Sequence, residues 1–316
     1  MTEDTKPPDF VERIIHPREI QLGGFTVRRA LPAMGIDGVG PWVFFDHMGP
    51  ASFPPGEGVD VPPHPHINLA TVTHLFEGEL VHRDSLGSVQ TIAPGAVNLM
   101  VAGSGIAHSE RTGPELRSQG HRMNGLQLWA GLPEHAEEAD PLFLHYPAEA
   151  LPRAGRRGAE VRVMIGEAFG LRSPVRTYSP TLYAEAAVAP GGGLELPEGP
   201  QELAIYVVSG AAAVEDFELP PRTLVVFRRS SGGGAELRLS ARENTQVAMI
   251  GGSPLGKRFM WWNFVSSRKE RIEKAKHDWK EGRFAAIPGE TELTPLPERD
   301  AFSERKELSE GRNFSE

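Results

Sequence analysis

Two short triplets hold the residues best placed to do chemistry in this chain: His64-Pro65-His66 and His108-Ser109-Glu110. In each, the outer residues stand at i,i+2. On a β-strand that spacing puts both side chains on one face, with Cα atoms about 6.6 Å apart. Two such strands side by side would converge four nitrogen and oxygen ligands on one point. Three imidazoles and one carboxylate suit Fe(II), Mn, Co, Ni or Cu, and leave coordination positions for water, O2 or substrate. Neither triplet is specific alone, since at this composition H-x-H arises by chance roughly 0.4 times per chain and H-x-E about once. His135-Ala136-Glu137 has the same H-x-E spacing inside a charged connector and is expected to be inert.

The surroundings sharpen the reading. Gly58 precedes His64 with five residues between them, Gly105 precedes His108 as G-x-x-H, and Gly78 and Pro94-Gly95 supply turns between the pairs. This spacing resembles the two metal motifs of the cupin barrel. One departure is informative. The carboxylate expected three or four residues after H-x-H is missing, because Asn68, Leu69, Ala70 and Thr71 follow. Glu110 can supply it.

The elements that must position these residues are strands. Short β-like runs separated by turn signals fill residues 21–145 (FTVRRAL, GPWVFFDHM, LATVTHLF, SVQTIA, AVNLMVA) and again 160–252 (VRVMIG, TLYAEAAV, ELAIYVVSG, TLVVF, AELRLSA, TQVAMIGG). The charged, Pro- and Ala-rich stretch EHAEEADPLFLHYPAEALPRAGRRG connects them. The two regions echo each other: a strand ends at Gly78 in one and at Gly210 in the other, and each is followed by a Pro-containing turn and an apolar strand. A duplicated β-unit is expected. Ten of the eleven histidines lie between residues 16 and 145, and only His277 lies beyond. Whatever the histidines do belongs to the first region.

Near the C-terminus the pattern becomes helical. Ser267 and Glu270 stand in capping-box spacing, Ile272, Ala275 and Trp279 form one stripe, Glu270 and Lys274 are i,i+4, and Gly282 is a stop signal. A helix over 268–281 is predicted. The acidic residues 289–316 are expected to form a flexible tail.

Composition removes several functions. There is no cysteine, hence no disulfide, thiolate catalysis, zinc finger or iron–sulfur cluster. With 33 basic against 42 acidic residues the net charge is −9, which argues against direct nucleic-acid contact or an anionic membrane. Residues 85–109 lack charge over a length that could span a bilayer, but their glycines, Pro94, Gln90 and Asn98 read as two buried strands around a turn. No signal-peptide pattern opens the chain, so a cytoplasmic protein is expected.

The motifs PHPHINLATVTHLFEGELVHRDSLG, PGAVNLMVAGSGIAHSER, GLQLWAGLP and PLGKRFMWWNFVSSRKERIEKAKHDWKEGRF resemble the pirin family over roughly residues 20–288. The resemblance implies an all-β fold of two cupin-type barrels (a bicupin) with a C-terminal helix. It assigns a metal-binding cupin to 1–145 and a second cupin without a metal site to 146–288. By motif, His64, His66, His108 and Glu110 are the metal ligands. His74 stands where the family usually has Tyr, and Asn68 where Gly is commoner; either would reshape the pocket.

The activity implied is that of a quercetin (flavonol) 2,3-dioxygenase, with one divalent metal, Fe(II) first and Mn, Co, Ni or Cu as alternatives. Glu110 would also serve as the catalytic base, and the partners would be a flavonol-like substrate and O2. The competing reading is a non-enzymatic, redox- and metal-dependent regulator of a transcription factor or metabolic enzyme. A monomer is expected. Of the remaining candidates, His74 lies about 26 Å from His66 along an extended strand, too far to ligate. His82-Arg83-Asp84 reads as a structural ion pair at a hairpin turn, Asp46-His47 as a strand end near the barrel mouth, and Trp261 and Trp262 as core between the domains. The pair Arg228-Arg229 is too short for a nucleic-acid footprint.

Overall fold

A computed structural model describes residues 6–22, 24–228 and 237–298. Arg229 and the distal part of the expected tail, residues 299–316, lie outside the described residues. Alternation of β-branched and polar residues, cut by Gly and Pro, gives strands almost throughout. They begin with β1 (Val11–Ile15), β2 (Arg18–Leu22), β3 (Phe25–Leu31), β4 (Trp42–Phe53), β5 (Asp60–His66) and β6 (Leu69–Glu77). Next come β7 (Leu80–Asp84), β8 (Val89–Ile92), β9 (Val97–Val101), β10 (Ile106–Arg111), the short helix α1 (Pro114–Gln119), β11 (His121–Gly131) and β12 (Leu142–Tyr146). The second region holds β13 (Arg153–Arg156), β14 (Ala159–Ile165), β15 (Glu167–Ala168), β16 (Leu171–Arg172), β17 (Thr181–Val188), β18 (Gly193–Glu195) and β19 (Glu202–Ser209). It closes with β20 (Ala212–Val214), β21 (Phe217–Glu218), β22 (Leu224–Phe227), β23 (Arg238–Ala241) and β24 (Thr245–Gly252). The chain then forms β25 (Phe259–Trp261), β26 (Phe264–Ser266) and α2 (Lys269–Lys280).

The duplication is visible in the sheet orders. One barrel pairs a seven-stranded sheet, β12-β9-β6-β11-β4-β3-β2, with a four-stranded sheet, β5-β10-β7-β8. The other pairs β1-β22-β19-β24-β17-β14-β13 with β18-β23-β20-β21. From β5 to β11 and from β18 to β24 every strand has its counterpart in the same place. Gly78 and Gly210 occupy the same turn in each, at φ +87° and +82°. In either, a Cβ would meet a backbone oxygen at 2.5 Å, so only glycine fits the turn.

Two cupin-type barrels with a C-terminal helix are therefore the architecture, but the compact units are not linear segments. One unit contains Ile20–Val27, Met48–His145 and the described residues from Leu255 on. The other contains the described residues through Glu19, then Arg28–His47 and Tyr146–Pro254. The chain passes from one unit to the other between His145 and Tyr146, and its two ends lie in the unit opposite to their neighbours in sequence. The physical reason is edge pairing: β1 hydrogen-bonds β22, with Val11 opposite Phe227 and Ile15 opposite Leu224. At the other end, Phe264, Ile272, Ala275, Trp279 and Ile287 bury with Ile67 and Ala107 of the first barrel.

Local expectations fared unevenly. Helix α2 forms with Ile272, Ala275 and Trp279 buried, yet no capping box closes it: its N-cap is Arg268, without a side-chain bond. Ser267 is drawn away, because Glu137 accepts from its backbone N–H (2.6 Å) and its hydroxyl (2.8 Å). Lys274 pairs with Asp278 rather than Glu270. The charge-free stretch contributes three strands rather than two, since β8, buried only at Ile92, joins β9 and β10. Asp46-His47 sits mid-strand in β4; Arg29 clasps both Asp46 oxygens at 2.8 Å, and His47 Nδ1 lies 3.0 Å from the Tyr206 hydroxyl. Trp261 and Trp262 pack with Phe264 within one unit. Among the described residues, no helix is long and apolar enough to cross a membrane.

The described start of the acidic tail is fastened down. Glu290 accepts from Ser109 (2.7 Å) and from Arg111 (2.9 Å), and the Thr294 N–H donates to the Pro63 carbonyl at 2.9 Å. These bonds run along the outer side of the two ligand-bearing strands.

Candidate metal centre

Strands β5 and β10 are antiparallel neighbours with His108 directly opposite His64 and Ile106 opposite His66. The register slips beyond this point, because β5 takes three steps from Val61 to His64 against two on β10 from His108 to Glu110. The irregularity therefore lies in β5, while β10 stays in register with β7. The i,i+2 spacing does what strand geometry requires: His64, His66 and His108 turn to one face and meet. Their ring centroids are 4.3 Å (His64–His108), 5.0 Å (His66–His108) and 5.1 Å (His64–His66) apart. One ligand atom from each lies within 4.8 Å of the other two.

The hydrogen bonds of the rings select the ligating nitrogen. His64 Nδ1 lies 2.9 Å from the Pro62 carbonyl, His66 Nδ1 3.2 Å from the Asn263 carbonyl, and His108 Nδ1 3.3 Å from His82 Nδ1. A carbonyl only accepts, so His64 and His66 carry hydrogen on Nδ1 and present bare Nε2 atoms. His108 Nε2 is buried with no protein partner. Three clustered, buried imidazoles with free lone pairs fit a cation, and a divalent transition metal is the ion this donor set suits.

Electrostatics point the same way. Burial lowers His64 from its usual 6.5 to about 4 and holds His66 and His108 well below theirs, with neighbouring imidazoles adding to the effect. All three are therefore neutral at pH 7, the form that binds metal.

Glu110 stands apart from that 4.8 Å cluster. Its Oε1 lies 3.0 Å from Thr73 Oγ1, which is also 2.8 Å from Gln127 Oε1. A single hydroxyl hydrogen serves one of them at a time. Burial raises the Glu110 pKa, with His82 and the Thr73 bond opposing. Trp129 stands edge-on to His66 at 5.0 Å, and Phe143 stacks on His82 at 4.3 Å.

Two parts of the site escaped the sequence reading. His82 and Asp84 form the expected ion pair at the end of β7, where Asp84 takes the N–H groups of the turn, but β7 lies beside β10 and His82 stands against His108. Their signal was the same i,i+2 spacing. Burial opposes ionisation of Asp84, but bonds from His82 and the Ser88 N–H outweigh it and hold its pKa below the usual value. The Asn263 carbonyl comes from the far end of the chain and left no local signal. Away from the metal cluster, Glu137 of the H-x-E decoy is buried and receives Ser266 and Ser267 hydroxyls with Arg258 alongside at 3.4 Å. His74 keeps away from the ligands, its Nδ1 2.8 Å from the Ala96 carbonyl. Asn68 is fully buried at φ +56°, where glycine is the commoner occupant, and its amide donates to the Gly103 and Glu137 carbonyls.

Among the described residues, the one cluster of three metal-ligating groups is the one in the first barrel. In the corresponding strands of the second barrel, β18 and β23, Leu194 stands opposite Leu239, and both are buried in an apolar core.

Two family models decide the relationship: "Pirin" matches residues 24–130, and "Pirin C-terminal cupin domain" matches residues 183–285. The chain belongs to the pirin family. A pirin-like protein of Caulobacter vibrioides is 46% identical over 295 residues, covering 92% of this chain and 100% of that relative. Rat pirin is 29% identical over 269 residues, covering 82% and 88%. Among solved structures, a quercetin 2,3-dioxygenase from Acinetobacter baumannii superposes with a TM-score of 0.81 at 35% identity, over 92% of this chain and 97% of that one. The pirin fold thus carries, in its first barrel, a three-histidine site for one divalent metal.

Proposed function

We propose that this pirin is a cytoplasmic, metal-dependent flavonol 2,3-dioxygenase, acting as a monomer, with Fe(II) held by His64, His66, His108 and Glu110. The observation that carries the reading is the cluster of three neutral, buried imidazoles, in a fold shared with a quercetin 2,3-dioxygenase. When bound, the metal would supply a Lewis-acid seat for the deprotonated 3-hydroxyl of a flavonol and bring it together with O2.

The chain's own residues supply the rest. Glu110 accepts the 3-hydroxyl proton, and its burial makes it a stronger base than an exposed carboxylate. Thr73 holds that carboxylate in place at 3.0 Å. Flavonol plus O2 would yield a depside and carbon monoxide.

Aerobic turnover of quercetin by protein loaded separately with Fe, Mn, Co, Ni or Cu tests this, with His66→Ala alongside and carbon monoxide as the readout. Metal-dependent release of carbon monoxide, lost in the variant, is expected. Tight metal binding without any turnover would overturn the dioxygenase reading and leave a metal-dependent regulator of a protein partner.

A further inference from the structure

Strand β7 runs antiparallel to β10, with Asp84 opposite His108 and His82 opposite Glu110. The i,i+2 relation of His82 and Asp84 gives their side chains one face, shared with His108, Asp84 directly across the ladder from it and His82 diagonal to it. Both are nearly sealed from solvent, at 2% and 0% exposure. His82 bridges its two neighbours: Nδ1 is 3.3 Å from His108 Nδ1, and Nε2 is 3.0 Å from Asp84 Oδ2. The other Asp84 oxygen accepts from the backbone N–H of Leu86 (2.9 Å) and Ser88 (3.0 Å).

With both imidazoles neutral, one arrangement of hydrogens satisfies this chain. A carboxylate accepts and cannot donate, so His82 Nε2 carries the hydrogen and His82 Nδ1 is bare. His108 must then place its hydrogen on Nδ1. That leaves His108 Nε2 as a lone pair, and it is the buried nitrogen without a protein partner. We propose that Asp84 and His82 are a positioning pair: they set His108 in the tautomer whose Nε2 binds the metal, and pass the carboxylate's charge through His82 to strengthen that ligand. The inference rests on the metal centre but not on flavonol chemistry, and it holds for whichever divalent ion is bound.

The substitution that isolates the effect is Asp84→Asn. The new amide oxygen still accepts from Leu86 and Ser88, so the turn survives, while its NH2 group faces His82. His82 Nε2 must then accept, its hydrogen moves to Nδ1, and two N–H groups confront each other at His108. In the metal-free full-length chain, nitrogen NMR of the imidazoles is expected to show His82 changing tautomer. Titration with cobalt(II), followed by its visible spectrum, is expected to show affinity reduced about 10–100-fold with a changed ligand-field envelope. Wild-type affinity and unchanged tautomers in Asp84→Asn would overturn the proposal.

A second pair of variants serves if Asp84→Asn does not fold. The His82→Gln side chain offers an amide oxygen to His108 Nδ1–H, whereas His82→Leu offers nothing. His82→Gln is expected to bind cobalt(II) more tightly than His82→Leu, and equal affinities would overturn the proposal. His108→Ala separates this question from the parent reading: if it bound cobalt(II) like wild type, the metal centre itself would be overturned.

Discussion

His66 and Asn263 are 197 positions apart, yet His66 Nδ1 lies 3.2 Å from the Asn263 carbonyl. A ligand contributed by an early strand is thus oriented by the backbone of the chain's closing segment. That carbonyl is held by its neighbour Phe264, which is fully buried, bridges to Ile67 and stacks on Trp261 and Phe284.

Phe264→Ala is therefore expected to do two things. Loss of a fully buried aromatic should cost about 3–5 kcal/mol of stability. Metal affinity should fall as well, although Phe264 touches no ligand, because the Asn263 carbonyl is released. Thermal unfolding and cobalt(II) titration of the same variant read the two effects. A destabilised protein with undiminished affinity would show that Asn263 does not orient His66.

Two buried histidines on the same barrel should behave differently. His66→Ala removes a ligand and is expected to lower metal affinity by more than the roughly 10–100-fold typical of an outer hydrogen-bond partner. His74→Ala removes a bond to the Ala96 carbonyl in the core and should lower stability while full metal content is retained. Elemental analysis after gel filtration distinguishes them. Comparable metal loss in both would contradict the assignment.

The buried imidazoles give the site an acid resistance that exposed ones lack. His64 protonates in the metal-free fold only near pH 4, not near 6.5, and His66 and His108 are also depressed. Protons compete with metal for the same nitrogens, so metal content should hold from pH 7 to about 5 and fall as pH approaches 4. In the metal-free protein, the unfolded chain binds protons between 6.5 and 4 that the folded chain refuses. Its stability should fall as pH drops through that window. Equilibrium dialysis at stepped pH checks the first, and a loss midpoint at 6.5 would refute it.

Glu137 is the clearest test of a residue with a purely architectural role. Its carboxylate faces Arg258 at 3.4 Å, the two side chains being 2% and 4% exposed, and it also binds Ser267 twice. Glu137→Ala would leave Arg258 as a buried charge without its counterion, at an expected cost of about 3–5 kcal/mol. Denaturant unfolding measures it. A loss below about 1 kcal/mol would mean that water reaches the pair.

What the sequence determined by itself is local. The i,i+2 spacing of His64 with His66 and of His108 with Glu110 needed only the period of a strand, and the glycines at 78 and 210 marked equivalent turns of a duplicated unit. Resemblance of whole motifs then named the family. Tertiary structure decided everything that depends on which distant segments meet: β1 pairing with β22, Asn263 reaching His66, and Glu137 taking Ser267 away from the helix cap. It also decided that the His82–Asp84 pair, at a hairpin turn, stands behind a metal ligand. Strand period is a property of a few consecutive residues. Register and edge pairing follow from burying one apolar face against another across some two hundred positions, and no short window of sequence holds that information.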